Sequence, residues 1–297
     1  MDNSQQFNAS SLSIVIPAYN EEAGISKTLA SLIENFKGAE IIVVDDGSKD
    51  ATSDCVNSFE NIKLIQHRYN RGYGASIKTG MLSSEREFIA WFDGDNEHKA
   101  EILKAMVIRL EKGNLAAVLG ERDKSINIVR GTGKFLIRLL GRVLQVKAGI
   151  DLNCGLRVFH RSVIMKYLNL LPDGYSASLT STMILSVREY PFEFFPFKCN
   201  ERIGESKVAI SDGFEALMLV LRVIMLLAPL RIFLRPSLLL IFSGILYSFW
   251  IALKIGEGFP VLGSLVILSG MVLGLLGLIA DQISQMRINA LGGSPIK

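Results

Sequence analysis

Phe88-Ile89-Ala90-Trp91-Phe92-Asp93-Gly94-Asp95-Asn96-Glu97-His98 is the stretch that decides the fold. Five apolar residues run without alternation, as in a strand covered on both faces. They then break into two carboxylates one residue apart. Gly94 allows a sharp turn and a close approach of backbone to whatever the carboxylates hold. Asp93 and Asp95 therefore fall just past the C-terminal end of a strand, where open α/β sheets place their ligands. Hard oxygen donors so close together suit Mg2+ or Mn2+, ions that usually arrive with substrate phosphates. The plain alternative is an acidic turn that solvates a strand end.

The segments around it decide between the two. Leu12-Ser13-Ile14-Val15-Ile16 reads as a first buried strand stopped by Pro17, with Asn20 as the N-cap of a helix over 23–36. Glu40 to Val44 is a second strand, ending in Asp45-Asp46-Gly47-Ser48, and a helix restarts near Asp50. Ile62 to Ile65 is a third strand, followed by the loop Asn70-Arg71-Gly72-Tyr73-Gly74 and a helix from Ala75 to about Ser83. A helix over 99–112 follows the opening stretch, Leu115 to Leu119 is a fifth strand, and Leu156 to Phe159 is another. Helices are expected over 162–170 and 178–190, and Phe192 to Phe197 as an edge strand because Pro196 cannot donate to a ladder. Strands alternating with amphipathic helices predict an α/β domain with a mainly parallel sheet. Polar clusters recur at the strand ends: Tyr19-Asn20-Glu21, Asp45-Asp46, Asp93-Asp95 and Glu121-Arg122. One crevice lined by all four is the expected ligand site. Neither GxGxxG nor GxxxxGK[ST] occurs, which argues against dinucleotide and P-loop sites.

Composition bounds the rest. The 297 residues are 49% hydrophobic and 21% charged, and the apolar excess is concentrated near the C-terminus. A net charge of +3 without a long basic tract argues against a nucleic-acid partner. Cys55, Cys154 and Cys199 are odd in number and widely spaced, which fits a reduced compartment and no zinc site. The polar N-terminus carries no signal-peptide pattern, so the first domain is expected to stay in the cytoplasm. Arg130, Lys134, Arg138 and Arg142 recur at i, i+4 and would share one face of a helix, either a solvated face or a cationic wall for a phosphate or an anionic membrane. Arg202-Ile203-Gly204-Glu205-Ser206-Lys207 reads as a polar, glycine-hinged loop.

Phe214 to Leu227 is apolar but for Glu215 and Arg222, as in a helix lying in a membrane interface. Ser237 to Leu253 and Phe259 to Ala280 carry no charge and approach or reach the ~20 residues that cross a bilayer. The short link between them makes an antiparallel hairpin, with Trp250 and Tyr247 as candidate interface anchors. Arg222, Arg231, Arg235 and Arg287 put both ends of the hairpin in the cytoplasm by the positive-inside rule. Gly263, Gly270, Gly274 and Gly277 permit close helix packing, as a homo-oligomer would use. The expected division is 1–210 for a cytoplasmic catalytic domain, 211–235 for an amphipathic juxtamembrane region, 236–281 for two transmembrane helices and 282–297 for a cytoplasmic tail.

Five motifs in order carry a family resemblance: Ser13 to Glu22, Val43 to Ser48, Asn70-Arg71-Gly72, Asp93-Gly94-Asp95 and Arg202 to Lys207. Followed by a two-helix anchor, they resemble family 2 glycosyltransferases of the polyprenyl-phosphate type, similar to dolichol-phosphate mannose synthases and bacterial undecaprenyl-phosphate glycosyltransferases. The resemblance implies a GT-A fold, a nucleotide-sugar donor (UDP- or GDP-linked), a polyprenyl phosphate acceptor, and an enzyme of the inner or plasma membrane. It places Pro17, Tyr19, Glu21, Asp45 and Arg71 beside the donor nucleotide, and Asp93, Asp95 and Glu97 on Mg2+ or Mn2+. Relatives often carry Gln at the position of Glu97. Arg202 and Lys207 would close over the donor diphosphate, joining Asp93 and Asp95 as catalytic residues. Arg122, Arg130 and Lys134 are the candidates for the acceptor phosphate, and Asp151 has a structural or positioning role. The competing expectation is a catalytically inactive, membrane-anchored sugar-nucleotide-binding or scaffold protein.

Overall fold

The computed structural model describes residues 8–122, 151–152, 154–174, 176–199, 225, 229–255 and 260–290. The chain divides into two compact units near residue 212. The first holds a seven-stranded sheet. Its elements are β1 (Leu12–Ala18), α1 (Ile25–Asn35), β2 (Glu40–Asp45), α2 (Thr52–Asn57), β3 (Ile62–Gln66), α3 (Tyr73–Leu82), β4 (Phe88–Trp91) and α4 (Ala100–Gly113). Then come β5 (Ala117–Arg122), β6 (Arg157–His160), a short α5 (Arg161–Ile164) running into a 3-10 turn, α6 (Ala177–Val187) and β7 (Phe192–Phe197).

The strand order is β3-β2-β1-β4-β6-β5-β7. β1, β2, β3 and β4 are mutually parallel, and β7 is parallel to β5. β6 alone runs against both its neighbours, so the sheet is mostly parallel and mixed. The chain winds from β1 outward through β2 to β3, then returns to place β4 on the other side of β1. That reversal opens a crevice between the C-terminal ends of β1 and β4, the usual ligand position of such sheets.

The pleat explains why β1 is apolar throughout. Ile14 and Ile16 face the core formed with α1 and α4, where Leu29, Leu32, Leu103, Met106 and Val107 are buried. Val15 faces the other way, onto α3. There Gly80 lets helix and strand approach so closely that a Cβ would lie 2.3 Å from Val15 Cγ1. β7 is the sheet edge, as the Pro196 argument predicts.

Two local expectations are corrected. Pro17 does not stop β1, which continues to Ala18 with Pro17 opposite Val44. Val15 O accepts from Phe92 N and Ala18 O from Asp46 N, so residue 17 turns its amide side toward β4. β4 has ended there, and no ladder bond needs the proton proline lacks. Asn20 does not cap α1; Gly24 holds that position. Asn20 instead adopts a left-handed backbone with φ 50° and braces the loop after β2, accepting from Lys49 N at 2.8 Å. Elsewhere the expected elements form with ends shifted by a few residues. Fraying and caps explain most of this, and the span expected as one helix over 162–170 is divided into α5 and the 3-10 turn.

In the second unit, α7 (Pro229–Ile255) and α8 (Val261–Ala290) form two long helices. Each contains a stretch long and apolar enough to cross a membrane, Ile232–Lys254 and Val261–Met286. Both helices outrun the charge-free runs of the sequence, because a helical ladder continues through Arg235 and Asp281. Pro229 opens α7, where its missing N–H is no loss. The interhelical seam is made of small residues. Ser237 Oγ donates to Gly270 O at 2.8 Å, a Cβ on Gly263 would meet Ser248 Oγ, and one on Gly277 would meet Phe233. The glycines therefore pack the hairpin against itself within one chain. Large apolar side chains such as Leu239, Phe242, Leu253 and Leu275 point outward. Of the expected interfacial helix over 214–227, only Met225 falls among the described residues.

Two outcomes follow from this packing. Gly80→Ala, which normally favours a helix, is expected to destabilise the chain by about 1–3 kcal/mol through overpacking, read from urea unfolding by circular dichroism. In the hairpin, a Cβ on Gly274 would stand 3.6 Å from that of Ser237, within the disulfide range. The double variant Ser237→Cys/Gly274→Cys is expected to close an intrachain disulfide on mild oxidation, detected by peptide mass spectrometry.

Candidate active site

The loops after β1 and β2 are laced together. Asn20 N donates to Ser48 Oγ at 2.9 Å, Glu21 N to Thr52 Oγ1 at 2.8 Å, and Ala51 N to Glu22 Oε2 at 2.9 Å. Pro17, Tyr19 and Glu21 thus share one rim with the end of β2. Asp45 is buried and accepts from Ser48 N at 2.9 Å and from the Ser53 hydroxyl. Its neighbour Asp46, which the motifs left without a role, organises the next loop. Its carboxylate accepts from Arg71 N at 2.9 Å and Gly72 N at 2.7 Å, and contacts His67 Nδ1 at 2.6 Å. His67 Nε2 in turn meets Thr79 Oγ1 at 2.9 Å. Arg71 is brought to the same rim with its side chain exposed. The acid doublet was visible in the sequence; that its second member ties down the Asn70–Gly72 loop was not, because the partners lie 25 residues away.

β4 delivers Asp93 and Asp95 to the crevice. Thr28 Oγ1 on α1 donates to Gly94 O at 3.1 Å, fixing the turn. Asn96 takes a left-handed backbone with φ 60° and folds the chain back, so His98 returns to Asp93. Tyr73 OH donates to Asp93 Oδ1 at 3.1 Å, and His98 Nε2 lies 3.1 Å from Oδ2. Gly155 closes the third side: a Cβ there would stand 2.2 Å from Asp93 Oδ2. Burial works against ionisation of Asp93, but the His98 and Tyr73 contacts outweigh it and hold the carboxyl below its ordinary range. Burial and the adjacent Asp93 push the Tyr73 phenol well up, so it stays a donor. Asp95 is 5% exposed and accepts from Glu97 N at 3.1 Å through Oδ1.

Glu97 faces another way. Arg122 at the end of β5 reaches its Oε1 with Nη1 at 3.3 Å and Asp151 Oδ2 with Nε at 2.5 Å. Burial opposes the Arg122 charge, yet the two carboxylates raise its pKa further above the ordinary arginine value. The extra negative charge at 97 is thus balanced locally, by a residue the sequence had offered for the acceptor phosphate. Among the described residues, no group of three or more His, Cys, Asp or Glu side chains is arranged to hold a metal ion. Asp93 and Asp95 fit a smaller contribution: Mg2+ and Mn2+ need only one or two carboxylates when phosphate oxygens and water complete the shell.

Behind Asp93 lies Arg157, fully buried at the start of β6. It donates to Leu152 O and Cys154 O at 2.8 Å each and to Thr182 Oγ1 on α6 at 2.7 Å. Burial lowers its pKa to about 10, which leaves it charged at neutral pH. This guanidinium holds the segment that presses Gly155 onto Asp93. Its burial gave no signal in the sequence, where an arginine opening a strand reads as exposed. Burial also pushes the Cys154 thiol up to about 12. Arg130, Lys134, Arg202 and Lys207 lie outside the described residues.

A mostly parallel α/β sheet with paired carboxylates at its switch point has the layout of a ligand-binding α/β domain. The chain belongs to glycosyl transferase family 2, whose model matches residues 13–168. The model of the GtrB C-terminal hairpin matches residues 228–286. The protein is a glycosyltransferase of GT-A type with two apolar C-terminal helices that suggest membrane anchoring. It is 32% identical to a dolichyl-phosphate beta-glucosyltransferase of Trichomonas vaginalis, over 67% of this chain and 68% of that one. It is 29% identical to a dolichyl-phosphate beta-glucosyltransferase of Dictyostelium discoideum, over 50% of this chain and 54% of that one. It is 29% identical to a dodecaprenyl-phosphate galacturonate synthase of Rhizobium johnstonii, over 52% of this chain and 48% of that one. The chain therefore spans about half to two thirds of the length of these relatives. In fold it resembles glucosyl-3-phosphoglycerate synthase of Mycobacterium tuberculosis, with TM-score 0.58 and 17% identity over 73% of this chain and 81% of that one.

The Asp93 environment has a pH consequence. Its folded pKa is depressed below 3.8, so the stability it adds is fully present above that value and is lost as pH falls through the lower, folded one. Asp93→Asn is expected to reduce the acid-side loss of stability, measured by urea unfolding at a series of pH values.

Proposed function

We propose that the chain transfers a sugar from a UDP- or GDP-linked donor to a polyprenyl phosphate at the cytoplasmic leaflet, with inversion at the anomeric carbon. The observation that carries this is the joining, in one chain, of Asp93 and Asp95 at the switch point to a hairpin long and apolar enough to span a bilayer. The names of the relatives support the acceptor class: two act on dolichyl phosphate and one on dodecaprenyl phosphate. Solved fold neighbours in complex with Mn2+ and UDP-glucose support a metal-assisted nucleotide-sugar donor.

Each group then has a task. A phosphomonoester is largely dianionic at neutral pH, with a second pKa near ~6, so the acceptor oxygen needs placement more than a general base. It attacks the anomeric carbon as the bond to the donor diphosphate breaks, in a single displacement. Asp93 and Asp95 would hold Mg2+ or Mn2+, which when bound neutralises the leaving diphosphate. Pro17, Tyr19 and Glu21 border the nucleotide, Asp45 accepts from a base N–H, and Arg71 stands by the base or diphosphate. Arg202 and Lys207 cover the diphosphate, and Arg130 and Lys134 receive the acceptor phosphate. Arg122, tied to Asp151 and Glu97, acts from a fixed position at the acceptor side. The catalytic part occupies 1–210, a juxtamembrane region 211–235, the spans 236–281 and a cytoplasmic tail 282–297. Tethering by the hairpin keeps catalysis at the surface where a membrane-bound acceptor presents its phosphate.

The test is a screen of nucleotide sugars against a short-chain polyprenyl phosphate with Mg2+ or Mn2+, using the full chain in detergent and reading the anomeric configuration of the product. Transfer with inversion is expected, and Asp95→Ala is expected to lower turnover about 100-fold or more. Full activity in the presence of a chelator would contradict the metal role, and a retained anomer would contradict single displacement.

A further inference from the structure

His98 is buried for a reason its packing alone does not supply. Its side chain is 1% exposed and lies edge-to-face between the rings of Phe92 and Phe197, at centroid distances of 5.7 and 5.6 Å. An apolar ring would fill that slot as well. The imidazole does worse in one respect, because among the described residues its buried Nδ1 has no hydrogen-bond partner, a cost that a phenyl ring would avoid. What the imidazole alone provides is Nε2–H, pointing at Asp93 Oδ2 at 3.1 Å. An ionised carboxylate can only accept, so the contact with Asp93 Oδ2 assigns a proton to Nε2.

The two oxygens of Asp93 are gripped from different elements. His98 takes Oδ2 from the turn after β4, and Tyr73 takes Oδ1 at 3.1 Å from the start of α3. Gly155 backs the carboxylate from the segment before β6. Two donors on separate oxygens oppose rotation of the carboxylate about its Cβ–Cγ bond, and the backbone of Gly155 blocks retreat. Asp95 has a different support, its bond from Glu97 N, so the two members of the acid pair are held independently.

We propose that His98 is a positioning residue, whose Nε2–H fixes the Asp93 carboxylate in the orientation the donor diphosphate and its metal require. This deepens, and rests on, the glycosyl-transfer reading of the site. His98 touches no reacting atom; it acts through Asp93, as hydrogen bonds behind metal-ligating carboxylates do elsewhere.

The test uses full-length protein in detergent, with two readouts: steady-state transfer, and Mn2+ binding in the presence of UDP or GDP followed by electron paramagnetic resonance. His98→Phe keeps a ring in the slot and removes the donor. It is expected to weaken Mn2+ binding about tenfold and lower kcat about 10–100-fold, with KM for the polyprenyl phosphate changed less than about twofold. His98→Gln can place an amide N–H where Nε2 stood and is expected to recover Mn2+ affinity and kcat to within about threefold. His98→Asn reaches only as far as Nδ1 and is expected to stay as low as His98→Phe. Wild-type Mn2+ affinity in His98→Phe, or equal losses in the Gln and Asn variants, would overturn the proposal and leave His98 a packing residue. Should His98→Phe fail to fold, the Gln–Asn contrast decides alone. Failure of the transfer reading is separable: Mn2+ affinities would still order as described while no nucleotide sugar supports transfer in the wild type.

Discussion

Removing an ionised carboxylate from most of its water is costly unless hydrogen bonds and opposite charge compensate it, and Asp93, with its side chain 24% exposed, is such a group. Its hydrogen bonds and its packing are drawn from four places in the chain. Tyr73 comes from the start of α3, His98 from the turn after β4, Gly155 from the segment before β6, and Arg157 lies behind with its guanidinium bonded to that segment and to α6. The crevice between β1 and β4 therefore follows partly from the sheet reversal and partly from what it takes to keep one acid ionised there.

Charge is balanced differently a few residues on. Glu97, taken alone, would crowd a third negative charge beside Asp93 and Asp95. Arg122 and Asp151 turn it into one end of an alternating chain, carboxylate–guanidinium–carboxylate. Such a chain orients Arg122 and draws Glu97 aside from the acid pair. The site thus sets a carboxylate gripped by the Tyr73 and His98 side chains near a cation held between two carboxylates.

The hairpin obeys a different rule. Among lipid chains there is no hydrophobic gain in bringing two apolar helices together, so close backbone approach and short-range packing must do it. Gly263, Gly270, Gly274 and Gly277 face α7, with Ser237 bonded to Gly270 O. The same glycines seen along a sequence say only that some helix can come close. Which helix does so is settled by connectivity: a short link leaves the neighbouring span as the nearest partner.

Much of the fold was legible because its causes are local in sequence. Uninterrupted apolar runs of strand length announce strands buried on both faces, acids just past them announce strand ends, and two long charge-free runs announce the hairpin. Pro17 and Asn20 were misread because their places depend on neighbours: β4 ends before Pro17 needs a donor, and the loop after β2 claims Asn20. Asp46, Tyr73, His98 and Arg157 went unmarked for the same reason. A histidine five residues past an aspartate becomes its donor only when Asn96 turns the chain back, and an arginine opening a strand is buried only when Leu152, Cys154 and Thr182 supply acceptors. Sequence by itself determined where the strands end and where the two apolar spans fall, since both follow from periodicity and length. The tertiary structure decided which side chains support one another around the crevice, because hydrogen bonds and ion pairs join residues the chain keeps far apart.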